Sequence, residues 1–262
     1  MERLLLTGAA GRVATLLRPR LARDGRAVRL LDVVPLDDLR PGEEAVQGSA
    51  GDPETLREAC ADVDAVVHLA TVATGRPMQF DAALEDLATT HAVLEAARQS
   101  GITRVVYASS NHAVGFHPRG EEDAPDWLFP RPDTFYGVAK VASEGLASLY
   151  VDRYGMDVVC LRIGTCRPEP DDVRSLATWL SPDDAARLVE AAVTAPSPGF
   201  RVVWGVSANT RNWWSLAEAR RLGYDPQDDA EVFADAILAQ HGDPDPTAVD
   251  HRYLGGAFTT RT

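Results

Sequence analysis

Apolar positions along the chain gather into five short runs, at residues 3–7, 28–32, 65–69, 104–108 and 157–163, with longer amphipathic stretches between them. Runs that are apolar at nearly every position suit strands covered on both faces. Their alternation with segments of helical spacing predicts βαβ units and a parallel sheet. After Gly164 the texture changes. Ser181-Pro-Asp-Asp184 combines a capping serine, a proline at the first helical position and an acidic third residue, which predicts a helix start. Residues 202–204 form a further strand candidate, residues 229–240 read as a helix, and the Pro/Gly-rich stretch from Gly242 reads as irregular.

With 262 residues, 45% of them hydrophobic, the chain can bury a sizeable core. A formal net charge of −13 without a basic patch argues against nucleic-acid binding. No stretch of eighteen or more apolar residues is present and the N-terminus lacks a signal-peptide pattern, so a cytoplasmic protein with no membrane partner is expected. Cys60, Cys160 and Cys166 lack zinc spacing and fit reduced thiols, and the six scattered histidines give no metal signature. No metal is expected.

Thr7-Gly-Ala-Ala-Gly-Arg-Val-Ala14 follows the first strand and opens the first helix. Gly8 and Gly11 permit a tight turn and close approach of backbone to a pyrophosphate, which would rest on the helix start around Ala10, Arg12 and Val13. Asp32 closes the second strand 21 residues after Gly11, where a carboxylate accepts the hydroxyls of an adenosine ribose and repels a 2′-phosphate. NAD is therefore expected rather than NADP. The expected fold class is α/β, a Rossmann-type doubly wound parallel sheet. Residues 1–164 would form the NAD-binding domain with the catalytic residues, and residues 165–262 a small substrate-binding lobe and tail.

Tyr136-Gly-Val-Ala-Lys140 places a phenol and an ammonium four residues apart, on one face of a helix. The ammonium favours the phenolate and suits the tyrosine to work as a general base. Ser110 lies just beyond the fourth apolar run, on the rim where ligands of such sheets bind. Serine, tyrosine and lysine converging there would suffice to oxidise an alcohol, with the tyrosine taking the hydroxyl proton and the serine holding the oxygen.

The order TGAAGxxA, strand-end aspartate, VHLA (residues 67–70), SSN and YxxxK resembles the extended short-chain dehydrogenases/reductases. ASSNHxxGxxP, YGVxK, LRIGxCxPEP, RxLxTWxSxDD (residues 174–184) and VVWGxSAN (residues 202–209) resemble, more narrowly, the uronate dehydrogenases over almost the whole chain. That resemblance implies NAD-dependent oxidation of a cyclic hexuronic acid, glucuronate or galacturonate, at C1 to the aldaro-lactone. It also implies a homo-oligomer. Ser49, Ala50, Leu69, Ala70, Ala108 and Ile163 would join the glycine loop and Asp32 around the cofactor. Asn111, His112 and Thr74 would face the sugar, Arg174 would grip its carboxylate bidentately, and Thr165 would stand beside it. His112 has a second reading as a satisfied, partly buried histidine, and Thr165 as a turn residue bonding its own backbone.

Four positions depart from the family pattern: Ala14 for the third glycine, Ser49 for an aspartate at the adenine with Asp52 nearby, Asp86 for an asparagine, and Ala73 for a serine beside Thr74. The alternatives are an oxidoreductase or epimerase acting on another acidic or nucleotide sugar, or a non-catalytic NAD-binding protein. Trp213-Trp214 reads as buried lobe packing in preference to an oligomer surface.

Overall fold

The structure, a computed structural model, describes residues 2–23, 25–120, 123–245 and 247–260. Seven strands form one sheet in the order β3-β2-β1-β4-β5-β6-β9. They are β1 (Glu2–Thr7), β2 (Arg26–Asp32), β3 (Glu43–Gln47), β4 (Ala65–His68), β5 (Arg104–Ser110), β6 (Asp157–Ile163) and β9 (Phe200–Gly205), every pair parallel.

Successive strand residues point to opposite faces, and two separate cores result. Leu4, Leu6, Leu30, Val67, Val106 and Leu161 pack on one side under α1 (Arg12–Leu21) and α6 (Pro182–Thr194), through Leu17 and Leu188. Leu5, Leu31, Val66, Val105 and Val158 pack on the other under α2 (Pro53–Ala59), α3 (Phe80–Gln99) and α4 (Phe135–Tyr154), through Leu56, Leu94 and Ala147. Each fully buried leucine contributes roughly 1.5–3 kcal/mol, which is why these strands are apolar at almost every position.

Strand β3, Glu-Glu-Ala-Val-Gln, is the strand of this seven-stranded sheet that the apolar pattern does not announce. It lies at the sheet edge with β2 as its neighbour, where polar side chains can remain in solvent. Glu43 there accepts from Arg18 of α1 at 2.8 Å. Strand β5 runs two residues past the predicted end and brings Ser110 into the sheet register opposite Ile163.

Beyond Gly164 the chain serves both the sheet and the pocket. Helix α6 and strand β9 return to the main sheet. By the pocket lie the two-stranded pair β7 (Thr165–Cys166) and β8 (Trp179–Leu180), with α5 (Ser175–Thr178) between them. Helix α6 starts as its sequence predicts, with Ser181 Oγ accepting the Asp184 N–H at 2.9 Å. Helix α7 (Ala217–Arg221) packs near β9, and the predicted helix over residues 229–240 is a 3₁₀ turn, Ala230–Phe233, leading into α8 (Ala234–His241). The stretch after Gly242 is more ordered than its composition suggests, with α9 (Val249–Arg252) and a 3₁₀ turn, Gly256–Thr260. Its backbone is tied down where Leu254 donates to the His117 carbonyl and Gly255 to that of Gly115.

Trp213 and Trp214 are both buried, and Trp214 stacks on Trp204 with ring centroids 4.7 Å apart. The three cysteines are free and buried, and burial pushes the Cys60 thiol up to about 11. Among the described residues no helix is long and apolar enough to cross a membrane.

Inside the sheet, His68 Nδ1 lies 2.7 Å from Thr7 Oγ1 and Nε2 lies 3.3 Å from Thr90 Oγ1. Complete burial, with the Lys140 charge second, lowers its pKa to about 3. The unfolded ring takes up a proton below about 6.5 while the native ring stays neutral to about 3, so acidification across this window favours the unfolded state. Urea unfolding from pH 6.5 downward should show about 1.4 kcal/mol per pH unit more loss in the wild type than in His68→Gln. Parallel slopes for the two proteins would remove His68 as the source.

Candidate active site

At the end of β1 the chain turns at Gly8 with φ +70°, and a Cβ there would lie 2.7 Å from the Ala70 backbone. Only glycine allows the loop this close to the end of β4. Gly11 N–H bonds the Gly8 carbonyl at 2.9 Å, and α1 then begins at Arg12 with the unpaired N–H groups of its first turn at the loop. The crossover between β1 and β4 puts this loop at the switch point of the sheet.

Asp32 braces the same loop. Its Oδ2 accepts from Ala10 N and its Oδ1 from Val34 N, both at 2.9 Å, and each oxygen keeps a further lone pair for a diol. Ser49 is exposed, and its Oγ accepts the Gly51 N–H at 3.1 Å. Asp52 is committed to capping α2 through Thr55 N at 2.9 Å and Thr55 Oγ1 at 2.6 Å. The glycine cradle, the helix start and the strand-end carboxylate together fit a dinucleotide.

On the other side of the rim, Thr134 caps α4 by accepting the Gly137 N–H at 3.1 Å and so starts the helix that carries Tyr136 and Lys140. Both are buried. Lys140 Nζ donates to the Ala108 carbonyl at 2.9 Å and stands 5.3 Å from the Tyr136 ring centroid and 4.8 Å from that of Tyr107. Burial works against its charge, but Tyr107, Tyr136 and Asp86 around it outweigh that and raise its pKa, so it remains an ammonium. Ser110 is buried at the end of β5, where its Oγ accepts the His112 N–H at 3.2 Å.

One turn beyond Lys140, Glu144 fixes the helix against the sheet. It accepts from Arg162 Nε at 2.9 Å, Arg162 Nη2 at 2.8 Å and Ser109 Oγ at 2.6 Å. Helix α4 is thereby joined to β5 and β6 by charge-assisted bonds in a dry interior.

One cavity of about 540 Å³ connects these parts. Its wall includes Gly8, Gly11, Arg12, Val13, Leu69, Ala108 and Ile163 on the loop side, Ser110, Tyr136 and Lys140 in the middle, and Thr74, Asn111, His112, Thr165 and Arg174 at the far end. Ala10, Asp32, Ser49, Ala50 and Ala70 are not in this wall. Asp32 and Ser49 continue the same rim at the ends of β2 and β3, joined where Gly48 N bonds the Asp32 carbonyl at 2.9 Å.

At the far end, Arg174 Nη2 donates to the Leu254 carbonyl at 2.5 Å, and its guanidinium carbon is 5.5 Å from the Trp213 ring centroid. Among the described residues its buried Nε has no hydrogen-bond partner. Burial pushes this guanidinium below its ordinary value, against the opposing pull of Asp172, Asp250 and Asp133. Thr165 bonds the Thr178 hydroxyl at 2.9 Å rather than its own backbone. Asn111 Nδ2 donates to the Leu254 carbonyl at 2.9 Å. Asp86 uses the acceptor capacity that distinguishes it from an amide, taking Thr71 Oγ1 at 2.5 Å and Val72 N at 2.7 Å to hold the loop that carries Thr74. The side chain of Ala73 lies outside the described residues.

Sequence reasoning missed Asp133, whose Oδ2 is 2.7 Å from His112 Nδ1, and Phe258, whose ring stacks on His112 at 4.0 Å. It also missed the Leu254 carbonyl shared by Asn111 and Arg174. The Pro-Asp-Thr sequence just before α4 was the one available signal for a buried acid, and nothing in the tail marked Phe258.

Residues 4–181 match the model of the NAD dependent epimerase/dehydratase family. The chain is 41% identical over 259 residues to the uronate dehydrogenase of Agrobacterium fabrum, covering 98% of this chain and 97% of that one. Among solved structures, the glucuronic acid dehydrogenase of Chromohalobacter salexigens superposes with a TM-score of 0.93 at 38% identity, covering 100% of this chain and 97% of that one. A tyrosine-to-alanine mutant of the uronate dehydrogenase of Agrobacterium tumefaciens, complexed with NAD, gives 0.92 at 39% identity, covering 100% and 98%.

Replacing Glu144 by Gln would leave the Arg162 charge buried without its counter-ion. The expected cost is about 3–5 kcal/mol in denaturant unfolding. A loss below about 1 kcal/mol would mean that the pair does not hold α4 in place.

Proposed function

The chain belongs to the NAD dependent epimerase/dehydratase family and, within it, to the uronate dehydrogenases, and from that premise we propose that it oxidises a cyclic hexuronic acid at C1 to the aldaro-lactone with NAD as the hydride acceptor. The observation that carries this reading is one cavity holding Ser110, Tyr136 and Lys140 together with the half-buried guanidinium of Arg174, whose Nε has no partner among the described residues.

Tyr136 takes the proton of the C1 hydroxyl. Ser110 holds that oxygen by a hydrogen bond, and the Lys140 ammonium stabilises the negative charge on the phenolic oxygen that acts as the base. Arg174 binds the carboxylate at the opposite end of the sugar through an ion–ion contact. Asn111, His112, Thr74 and Thr165 meet the hydroxyls between the two ends. Gly8, Gly11, Arg12, Val13 and the helix start hold the pyrophosphate, Asp32 reads the adenosine ribose, and Ser49, Ala50, Leu69, Ala70, Ala108 and Ile163 flank the rest of the cofactor. In this reading residues 1–164 supply the cofactor and proton-transfer groups and residues 165–262 the carboxylate clamp. A cytoplasmic location agrees with the three buried free thiols, and self-association follows from the family resemblance.

Absorbance at the NADH band should rise with glucuronate or galacturonate and NAD, and hardly at all with glucose, galactose or NADP. Silence with every uronate, in protein that binds NAD, would reject the reaction. Tyr136→Phe should abolish turnover while sugar binding survives. Arg174→Met should lower kcat/KM for uronates roughly 10- to 100-fold, chiefly through KM, the range expected for lost charged hydrogen bonds. An unchanged uronate KM in Arg174→Met would remove the clamp.

A further inference from the structure

Arg174 stands at the start of α5, a helix of four residues. So short an element does little to place a long, flexible side chain, and the guanidinium takes its position from what surrounds it. One neighbour is the Trp213 ring, 5.5 Å from ring centroid to guanidinium carbon. The other is the C-terminal turn. The Leu254 carbonyl accepts from Nη2 at 2.5 Å, and Gly256, with φ +58°, comes so close that a Cβ on it would stand 2.6 Å from Nε and 3.0 Å from Cδ. A hydrogen fits between the Gly256 Cα and the Nε edge, and a methyl group does not.

The turn itself is fastened elsewhere. Arg252 O accepts from Arg119 N at 2.8 Å, Leu254 N donates to His117 O at 3.0 Å and Gly255 N to Gly115 O at 2.9 Å, while Asn111 Nδ2 reaches Leu254 O at 2.9 Å. All four partners lie in the segment that follows Ser110 at the end of β5. The guanidinium is thus registered through the tail against the rim that carries the reacting end of the pocket, and not through its own helix.

We propose that Gly256 and the Leu254 carbonyl position Arg174: the tail closes the Nε edge of the guanidinium and holds Nη2, which sets the distance from the carboxylate clamp to Ser110 and Tyr136. This rests on the assignment of Arg174 as the clamp under the proposed function. A donor held in place before the sugar arrives loses less freedom on binding, and a clamp displaced by the width of a methyl group no longer matches the length of the sugar.

Gly256→Ala should lower kcat/KM for uronate about 10- to 100-fold, chiefly through KM, with NAD binding unchanged. Gly101→Ala is the control for backbone strain, because Gly101 has φ +74° and a Cβ on it would meet nothing within 4 Å. Its uronate KM should be that of the wild type. In the Arg174→Met background Gly256→Ala should cause no further loss. A wild-type uronate KM in Gly256→Ala would overturn the proposal, and so would a loss that persists in full without Arg174. The contact is also read without substrate: Arg174→Met should speed hydrogen exchange at the Gly255 and Gly256 amides about 10-fold, since each partner of a contact orders the other. Equal exchange in the two proteins would overturn the proposal, and this comparison decides alone if Gly256→Ala does not fold. Absence of uronate turnover in the wild type would reject the reaction and leave the exchange comparison to decide the contact.

Discussion

The buried pair between Glu144 and Arg162 is the contact on which the geometry of the pocket depends. Taking two such ions out of water costs several kcal/mol each, and the pair is tolerable only if nearly every donor and acceptor is filled. Here the carboxylate takes both Arg162 nitrogens and the Ser109 hydroxyl, while Arg162 Nη1 reaches the Asp126 carbonyl at 3.3 Å. A half-turn slip of α4 would strand a charge in the core. Because Ser109 precedes Ser110 and Glu144 follows Lys140 by one turn, the same penalty fixes the serine, the tyrosine and the lysine relative to one another.

The opposite end of the cavity is built on the reverse principle. Where Arg162 is satisfied, Arg174 is incomplete: a backbone carbonyl, the Thr178 hydroxyl at 3.4 Å and an indole ring offset part of its burial, and among the described residues Nε has no partner. Buried cations are costly in this state, and binding sites commonly sacrifice stability in this way. A carboxylate entering the cavity would offset part of that cost through its charge. The net charge of −13 gives an anion no help from a distance, so selection of an acidic sugar would have to come from this local contact.

The legible parts of the site were those whose chemistry is local in sequence. Gly8, Gly11 and Asp32 follow from what a turn, a helix start and a strand end require, and Tyr136 and Lys140 share a face through helical spacing alone. The apolar strands were legible because both faces of the sheet are covered. Strand β3 was not, since an edge strand is allowed to be polar, and its Glu43 is explained by Arg18, 25 residues earlier. Asp133 and His112 are 21 residues apart, and Arg174 and Leu254 are 80 apart. Contacts of that kind leave no periodic trace, because any polar residue with any partner would write the same pattern.

The tail shows what this costs in interpretation. Its Pro/Gly-rich composition reads as irregular, yet the glycines answer to constraints as strict as that on Gly8 in the loop after β1. Gly256 has φ +58°, and a Cβ on it would lie 2.6 Å from Arg174 Nε; a Cβ on Gly255 would meet Asp133. The Leu254 carbonyl immediately before them accepts from both Asn111 and Arg174. One peptide group therefore ties the turn that carries Asn111 to the guanidinium of Arg174, and the glycines after it let the backbone pass between the charged side chains of Asp133 and Arg174. Glycine in this segment marks close approach rather than looseness, and the C-terminal turn belongs to the pocket as fully as the loop after β1.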